Sequence, residues 1–219
     1  MLNVIYEDNH LLIIEKPENV LSQKDNTNDI DITEMAKEYL AKKYDKTGNV
    51  YLGLVHRLDR RVGGVMILAK TSKAASRLSK SIMNHEFTKI YLVKVRGHLD
   101  ANGEINLNIY KDTKRKLAVV SKDGKESELT YHTIAYEENA SFALVDLYTG
   151  RYNQIRVSFA HINHPVCGDY KYGDKEALKG DRLGLWCYKI VIAHPVTKEE
   201  KIFIAKPVGR LWDGVRNKL

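Results

Sequence analysis

The stretch HRLDRRVGG, residues 56–64, places one carboxylate, Asp59, among three guanidinium groups, Arg57, Arg60 and Arg61. A carboxylate on a tight loop can serve as a nucleophile or a general base, because such a loop presents it rigidly. Neighbouring cations favour its ionised form, and the Gly-Gly pair that follows allows close approach to the backbone. The alternative is a loop acid that pairs locally with an arginine. The residues alone leave both interpretations open.

A tyrosine in the stretch TKIYLVKVRG, residues 88–97, is the second candidate for chemistry. In a strand, Lys89, Tyr91, Val93 and Val95 share one face, so that Tyr91 interrupts an otherwise apolar or basic surface. Its ring could stack on a nucleobase, and its phenol could transfer a proton. The alternative is an ordinary core aromatic whose hydroxyl is satisfied.

Two arginines in the stretch TGRYNQIRVSFAHINHPVCGDYKYG, residues 149–173, are the third candidate. Arg151 and Arg156 fall at the start and in the first turns of a predicted helix, where a guanidinium can bind a carboxylate or a phosphate at two points. The alternative for Arg156 is a solvated position on the helix face. His161 and His164 are too few, and lack a partnered carboxylate, to predict a metal site.

Length, charge and cysteine usage restrict the class of protein. A chain of 219 residues that is 43% hydrophobic can form one well-cored domain. Its net charge of +7 and pI of about 9.2 favour an anionic partner. Two cysteines without metal-ligand spacing fit a reducing cytosol. The absence of a secretory leader and of a long apolar run predicts a soluble, cytoplasmic protein.

Apolar periodicity and turn residues predict many short strands and a few helices. Helices are expected over about 31–44, 72–84 and 153–163, although the apolar residues of 153–159 also alternate as in a strand. Asn102-Gly103 and Asp123-Gly124 are predicted turns. Strands are expected at about 3–7, 11–16, 50–55, 65–69, 88–96, 104–109, 117–121, 127–136, 142–148, 183–193 and 201–205.

This order of elements predicts an α+β fold with a mixed, largely antiparallel central sheet flanked by a few helices. The sequence contains no internal repeat and no low-complexity linker, so we expect a single domain over residues 1–219. Neither of the glycine-rich phosphate-binding patterns, GxGxxG and GxxxxGK[ST], occurs.

Taken together and in this order, the three stretches resemble the RluA family of RNA pseudouridine synthases. HRLDRRVGGVMILAKT is similar to the family's catalytic HRLD-x-x-T-S-G segment, and TKIYLVKV to its lysine-x-tyrosine strand. GRYNQIRVSFAHINHPVCGDYKYG is similar to its GR-x-H-QIR-V-H segment, and YEDNHLLIIEKPENVLSQ to its opening strand pair with a Lys-Pro turn. The resemblance covers roughly residues 3–206, nearly the whole chain, which makes the signal much stronger than one short motif.

The chain departs from the family pattern at several positions. Val62-Gly63 stands in place of Thr-Ser, Asn153 and Ser158 each in place of a histidine, and Asn163 in place of a glycine. None of these touches Asp59, so they concern loop details and RNA contacts. Because the opening strand pair begins at residue 3, we expect a catalytic domain without the N-terminal RNA-binding domain that many relatives carry.

The resemblance implies isomerisation of uridine to pseudouridine in ribosomal or transfer RNA, in a catalytic cleft and without a cofactor or a metal. A monomer is the default expectation. Asp59 would be the essential aspartate, Arg156 would pair with it, and Tyr91 would stack on the uracil and relay a proton. These three side chains would have to share one cleft. The remaining side chains expected to bind substrate are Arg57, Arg60, Arg151, Gln154 and Ile155.

Two other functional classes remain open from the sequence. One is an RNA-binding module that has lost turnover, and the other is a metal-dependent nuclease that uses Asp59 with Asp169 and Asp174. A basic run, Lys111, Lys114, Arg115 and Lys116, lies in a predicted hairpin loop. It would either add salt-sensitive affinity for RNA or form a solvated loop.

Overall fold

The computed structural model describes residues 2–27 and 29–219, which form two compact units. The first unit comprises the described residues up to Thr88 together with Cys187–Ala205. The second comprises Lys89–Trp186 and Lys206–Leu219. Each unit is therefore built from two separate stretches of the chain, and two of the three boundaries fall inside strands β5 and β10. The expectation of a single domain over residues 1–219 stays a prediction.

The described residues form eleven strands and three α-helices. The α-helices are α1 (Ile32–Lys43), α2 (Ser72–Met83) and α3 (Gln154–His161). Two short 3-10 helices, Arg210–Trp212 and Arg216–Lys218, follow near the end of the chain. The strands are β1 (Asn3–Glu7), β2 (Leu11–Lys16), β3 (Gly53–Leu54), β4 (Gly63–Ala69), β5 (Thr88–Arg96), β6 (Asn102–Asp112), β7 (Leu117–Val120), β8 (Lys125–Glu137), β9 (Ala140–Leu147), β10 (Leu185–Ala193) and β11 (Glu200–Ile204).

The first unit packs helix α1 on a sheet with the strand order β1-β2-β4-β10, in which β3 also pairs with β4 and β11 with β10. Helix α1 begins at Asp31, whose side chain accepts hydrogen bonds from the backbone N–H groups of Thr33 and Glu34. The apolar residues of α1 recur every four positions and meet alternate residues of the buried strands, which creates one core. Its buried members are Leu12, Ile14, Ile32, Ala36, Leu40, Val50, Met66 and Leu68.

The second unit is an antiparallel sheet with the strand order β5-β9-β8-β6-β7. Helix α3 packs on β6 and β7 through a cluster of Ile109, Ala118, Val157 and Tyr172. Helix α3, which carries Arg156 in its first turn, is therefore held against the edge of the sheet that β6 and β7 form.

The elements confirm the predicted α+β architecture with its largely antiparallel strands, and α3 is a helix rather than the alternative strand. One predicted turn is wrong, because Asn102 and Gly103 lie at the start of strand β6. The Asn102 side chain bonds across the strand pair to the His132 ring at 2.6 Å. A Cβ at Gly103 would collide with the Tyr131 ring, so this glycine makes room for an aromatic side chain. No helix among the described residues has the length and apolar character needed to cross a bilayer.

A buried carboxylate connects strand β1 to helix α1 and to the end of β4. Glu7 accepts hydrogen bonds from Lys43 at 2.6 Å and Lys70 at 2.7 Å, and from the hydroxyls of Tyr39 at 2.9 Å and Tyr44 at 2.6 Å. Burial alone would raise the pKa of Glu7, but these four bonds outweigh it and lower that pKa to about 2. The charged form is therefore favoured by folding.

We expect Glu7→Gln to lower the free energy of unfolding at pH 7 by about 2–3 kcal/mol, because two cations lose their shared anion. A carboxyl whose pKa is lowered on folding stabilises the protein above its unfolded pKa, and this contribution is lost as the pH falls. Urea titrations should show the gap between wild type and variant closing from about pH 5 to about pH 2. Glu38→Gln, on the exposed face of the same helix, is the control, and a gap that does not change with pH would contradict the account.

Candidate active site

Asp59 lies in the loop 55–62 between strands β3 and β4. Its Oδ1 accepts a hydrogen bond from the Arg61 backbone N–H at 3.0 Å, and its carbonyl accepts one from Val62 N–H at 3.0 Å. A side-chain oxygen bonded to the backbone two residues ahead closes an Asx turn. The carboxylate is thereby held by its own turn, as the sequence motif led us to expect.

The residues before Asp59 are fixed to neighbouring segments of the same unit. Ser22 is buried, and its hydroxyl accepts from Leu58 N–H at 3.0 Å and donates to Leu58 C=O at 2.7 Å. The His56 ring accepts at Nε2 from the Ile67 backbone N–H at 2.9 Å, which attaches the loop to strand β4. Both contacts restrain the backbone directly before the carboxylate, so the loop is rigid for a structural reason.

A buried lysine closes the other side of this loop. Lys16 is fully buried, and its ammonium group donates to the carbonyl oxygens of Pro17 at 2.9 Å, Val20 at 2.6 Å and Arg60 at 3.2 Å. Burial lowers the pKa of Lys16 to about 8, while the negative charge of Asp59 raises it. Lys16 was not among the functional residues predicted from the sequence; its only signal was a lysine that ends the apolar strand LLIIEK before a proline.

The Gly-Gly pair after the loop serves packing within the first unit. Gly64 has a φ of +118°, and a Cβ there would collide with the main chain of Cys187 in strand β10. The Gly-Gly pair predicted a close approach to the backbone, and at Gly64 the group that approaches is the main chain of strand β10.

Two arginines of the loop, Arg57 and Arg60, lie at the surface. Arg60 donates through Nη1 to Asp29 at 2.6 Å and through Nε to the Asn19 carbonyl at 3.2 Å, with a side chain that is 44% exposed. Arg57 is exposed, and its guanidinium lies 3.4 Å from the Gln23 side-chain oxygen. The acid that forms an ion pair with Arg60 is therefore Asp29.

Tyr91 and the residues around Arg156 belong to the second unit. Tyr91 is buried in strand β5, opposite Val145. Ile155 and Arg156 are buried in the first turn of α3. The alternative of a solvated Arg156 is wrong.

A two-point ion pair holds the Arg156 guanidinium. Its Nε donates to Asp169 Oδ2 at 2.6 Å and its Nη2 to Asp169 Oδ1 at 2.7 Å, with both side chains buried. The Tyr172 ring lies 4.8 Å from the guanidinium carbon, which adds a cation–π contact. The motif GDYKYGD folds into turns that present these two partners, since the Asp169 carbonyl accepts from Tyr172 N–H at 3.1 Å. Neither partner of Arg156 was identified from the sequence.

Gln154 and Arg151 form the turn that leads into α3. Gln154 is buried, and its Oε1 accepts from Thr149 at 2.8 Å and from the Arg151 N–H at 2.9 Å, while its Nε2 donates to Glu128 C=O at 3.1 Å. Arg151 donates through Nε to the Glu126 carbonyl at 2.8 Å. These bonds orient the start of the helix, and substrate contact by the two residues stays a prediction.

The carboxylates that a metal-dependent nuclease would need are bonded to cations and backbone groups. Asp169 binds Arg156, and Asp174 binds Arg96 at 3.0 Å and the Gly168 N–H at 2.7 Å. Within residues 2–27 and 29–219, the histidine, cysteine and acidic side chains form no group of three that could hold a metal ion. The arrangement gives the nuclease interpretation no support.

Comparison with known proteins decides the family. A family model described as RNA pseudouridylate synthase matches residues 10–161, which include Asp59, Tyr91 and Arg156. The ribosomal large subunit pseudouridine synthase D of Vibrio cholerae is 33% identical over 93% of this chain and 67% of its own length. The chain belongs to the RluA-type RNA pseudouridine synthases. The synthase is thus an isomerase that converts uridine in RNA to pseudouridine.

Other relatives support the assignment and the fold. An uncharacterized RNA pseudouridine synthase of Aquifex aeolicus is 33% identical to this synthase over 92% of the chain and 68% of its own length. The structure of human RNA pseudouridylate synthase domain containing 1 superposes with a TM-score of 0.77 at 20% identity, covering 94% of this chain and 84% of the human chain. The structure of human RNA pseudouridylate synthase domain containing 4 superposes with a TM-score of 0.78 at 18% identity, covering 93% of this chain and 88% of the human chain. These structures confirm the predicted pseudouridine synthase fold.

We expect Lys16→Met to lower the free energy of unfolding of the synthase by about 2 kcal/mol, because three carbonyl groups lose the buried ammonium group that donates to them. Lys37→Met, on the exposed face of α1, is the matched control. Since folding lowers the pKa of Lys16 to about 8, the unfolded chain binds more protons than the folded protein does above that pH. The stability of the wild type relative to the variant should therefore rise from about pH 8 to about pH 10, and a constant difference would contradict this assignment.

Proposed function

We propose that this synthase modifies uridines of ribosomal RNA with Asp59 as its essential acid. The name of the Vibrio cholerae relative, a ribosomal large subunit enzyme, favours ribosomal over transfer RNA. We further propose that it acts as a cytoplasmic monomer, in line with its two reduced, buried cysteines. The observation that carries the catalytic assignment is the Asp59 loop, whose backbone is restrained on both sides of the carboxylate.

The reaction needs an acid that stays in place while the base moves. The bond between the uracil N1 and the ribose C1′ breaks, the uracil rotates, and a new bond joins its C5 to C1′. The C5 proton is then lost and N1 gains a proton, so the product is an isomer of the substrate. An ionised Asp59 can add to the base, add to the sugar or take a proton from the sugar, and all three routes require the same fixed carboxylate.

We propose that Arg156 and Tyr91 also serve this reaction. A buried guanidinium beside a reacting carboxylate would hold its orientation and its charge. The two bonds to Asp169 support this role, because they fix the plane and the position of Arg156 before substrate arrives. We assign Asp169 and Tyr172 as positioning residues for Arg156.

Some of the other residues predicted to contact the substrate are buried and some are exposed, and we propose different roles for the two groups. Tyr91 would stack on the uracil and relay the C5 proton, and the buried Ile155 would help to exclude water. Arg57 and Arg60 are exposed beside Asp59, where they could bind phosphates or fill the stack that the everted base leaves. Arg151 and Gln154 would act mainly by holding the entry to α3.

We expect Asp59→Asn to abolish release of tritium from RNA labelled at C5 of uridine, with a loss of at least about a hundredfold. The assay uses total cellular RNA in the presence of a chelator. Asp123→Asn, an exposed turn substitution, is the control and should release tritium at the wild-type rate. Binding of RNA by the wild type without release would support a non-catalytic module, and chelator-sensitive chain cleavage would support a nuclease.

We expect Arg156→Lys to lower turnover about a hundredfold while RNA affinity changes much less, because lysine keeps the charge but loses the two-point geometry. Single-turnover rates and anisotropy titrations with the same RNA separate the two effects. Thermal unfolding of the variant identifies any loss from misfolding. Equal losses of affinity and turnover would instead assign Arg156 to a phosphate contact.

A further inference from the structure

Strands β6 and β7 of the second unit are joined by a strongly basic turn, which we call the basic hairpin, residues 111–116. Lys111, Lys114, Arg115 and Lys116 are all exposed. The single acid of this segment, Asp112, accepts a hydrogen bond from the Arg115 backbone N–H at 2.9 Å and so closes the turn. Lys116 has a φ of +53°, which completes the reversal of the chain.

The four cations of the basic hairpin differ from other basic residues of this unit in their pairing. Across the part of the chain that the structure describes, none of the four forms an ion pair with a carboxylate. Lys94 and Arg96 of the same unit, by contrast, pair with Glu137 at 2.7 Å and with Asp174 at 3.0 Å. Four basic side chains and one acidic side chain within six residues give this segment a net charge of +3, and the resulting local positive potential favours an anionic partner.

An aromatic ring lies within this group of cations. Tyr152 is 40% exposed, and the Lys111 ammonium lies 4.9 Å from its ring centroid. Its hydroxyl lies 3.4 Å from the Lys116 carbonyl, which places the ring beside the turn. Cations that bind phosphates and an exposed ring on which a base can stack are the combination that binds unpaired nucleic acid.

The basic hairpin is firmly connected to the helix that carries Arg156. The Tyr172 hydroxyl accepts from the Ala118 backbone N–H of β7 at 2.7 Å and from the Asn153 side chain at 3.1 Å. The ring of the same tyrosine lies against the Arg156 guanidinium. A ligand on the hairpin is therefore held at a fixed position relative to Arg156 within one unit.

We propose that the basic hairpin and Tyr152 form an RNA-binding surface that holds nucleotides flanking the target uridine. The four cations contact phosphates, and Tyr152 stacks on an unpaired base once Lys111 moves from its ring to a phosphate. This inference rests on the proposed function, since it assigns part of the substrate to a surface of the same enzyme. Single-stranded or looped RNA fits better than duplex, because only an unpaired base offers its face to a ring.

The first experiment measures phosphate contacts through the salt dependence of binding. The variant Lys114→Gln, Arg115→Gln, Lys116→Gln is compared with a control that has Lys37→Gln, Lys42→Gln and Lys80→Gln on exposed helix positions. Each triple lowers the net charge from +7 to +4. With a short fluorescein-labelled RNA stem–loop that has a uridine-rich loop, the hairpin triple should reduce the slope of log affinity against log salt by about 2. The control should keep the wild-type slope.

The second experiment separates stacking from charge. Tyr152→Ala should weaken binding of the same stem–loop about tenfold without changing the salt slope, because it removes a stacking surface but no phosphate contact. Tyr152→Phe should bind like the wild type, since it keeps the ring. Tyr136→Ala, at another exposed aromatic of the second unit, is the control.

Two results would overturn the proposal. One is equal loss of affinity and slope in both triples, which would make the effect one of net charge alone. The other is RNA binding by the hairpin triple that matches the wild type, as expected if this surface meets an acidic protein instead. Tritium release by the wild type is measured in the same series. Its failure would contradict the proposed function, whereas normal release with unaffected hairpin variants would contradict only this inference.

Discussion

The N–H groups of a cation that is buried in a folded protein need oxygen atoms as hydrogen-bond acceptors. Two buried cations, Lys16 and Arg156, impose this requirement on the chain segments that surround them. The Lys16 ammonium has three N–H groups and donates to three carbonyl oxygens, which come from the chain just after β2 and from the Asp59 loop. The Arg156 guanidinium is flat and takes both oxygens of one carboxylate, Asp169. Leaving such donors unsatisfied would be strongly unfavourable, so these loops have little freedom to move. The restraint extends to the carboxylate of Asp59, because Arg60, whose carbonyl Lys16 binds, is its neighbour in the chain.

This use of buried charge favours precision over stability. Burial lowers the pKa of Lys16 to about 8, so folding opposes its charged form at neutral pH. A pair such as Arg156 and Asp169 is often no more stabilising than apolar residues of similar volume. Its advantage is geometry, since two parallel bonds fix the plane of the guanidinium, and a reaction that breaks and remakes a bond on one sugar carbon needs fixed charges.

Local patterns predicted much of the fold and part of the site. The period of α1 and the alternation in the strands gave correct elements, because the residues that face a core must repeat with the geometry of the backbone. The sequence motifs identified Asp59, Tyr91 and Arg156 as the candidates. The roles of Lys16, Asp169 and Gly103 could not be predicted, since each depends on a segment that is distant in sequence or hidden in a turn. Asn102-Gly103 has the composition of a turn, and only the Tyr131 ring on the paired strand explains why the glycine lies in β6.

The residues assigned to chemistry and those assigned to RNA binding differ in how deeply they are buried. Arg156 and Asp169 are buried and bonded to each other, and Tyr91 is buried in β5, so a substitution at any of the three alters the fold as well as the reaction. The cations of the basic hairpin are exposed, and their side chains make no ion pairs within the described chain, so they can change without disturbing the core. The hairpin is attached to α3 through Tyr172, which bonds to the backbone N–H of Ala118 and not to the hairpin cations. Under the proposal above, a substitution of those cations would therefore alter which RNA is held and leave the position of Arg156 intact. The target of such an enzyme can therefore change through exposed loops while its chemistry stays the same.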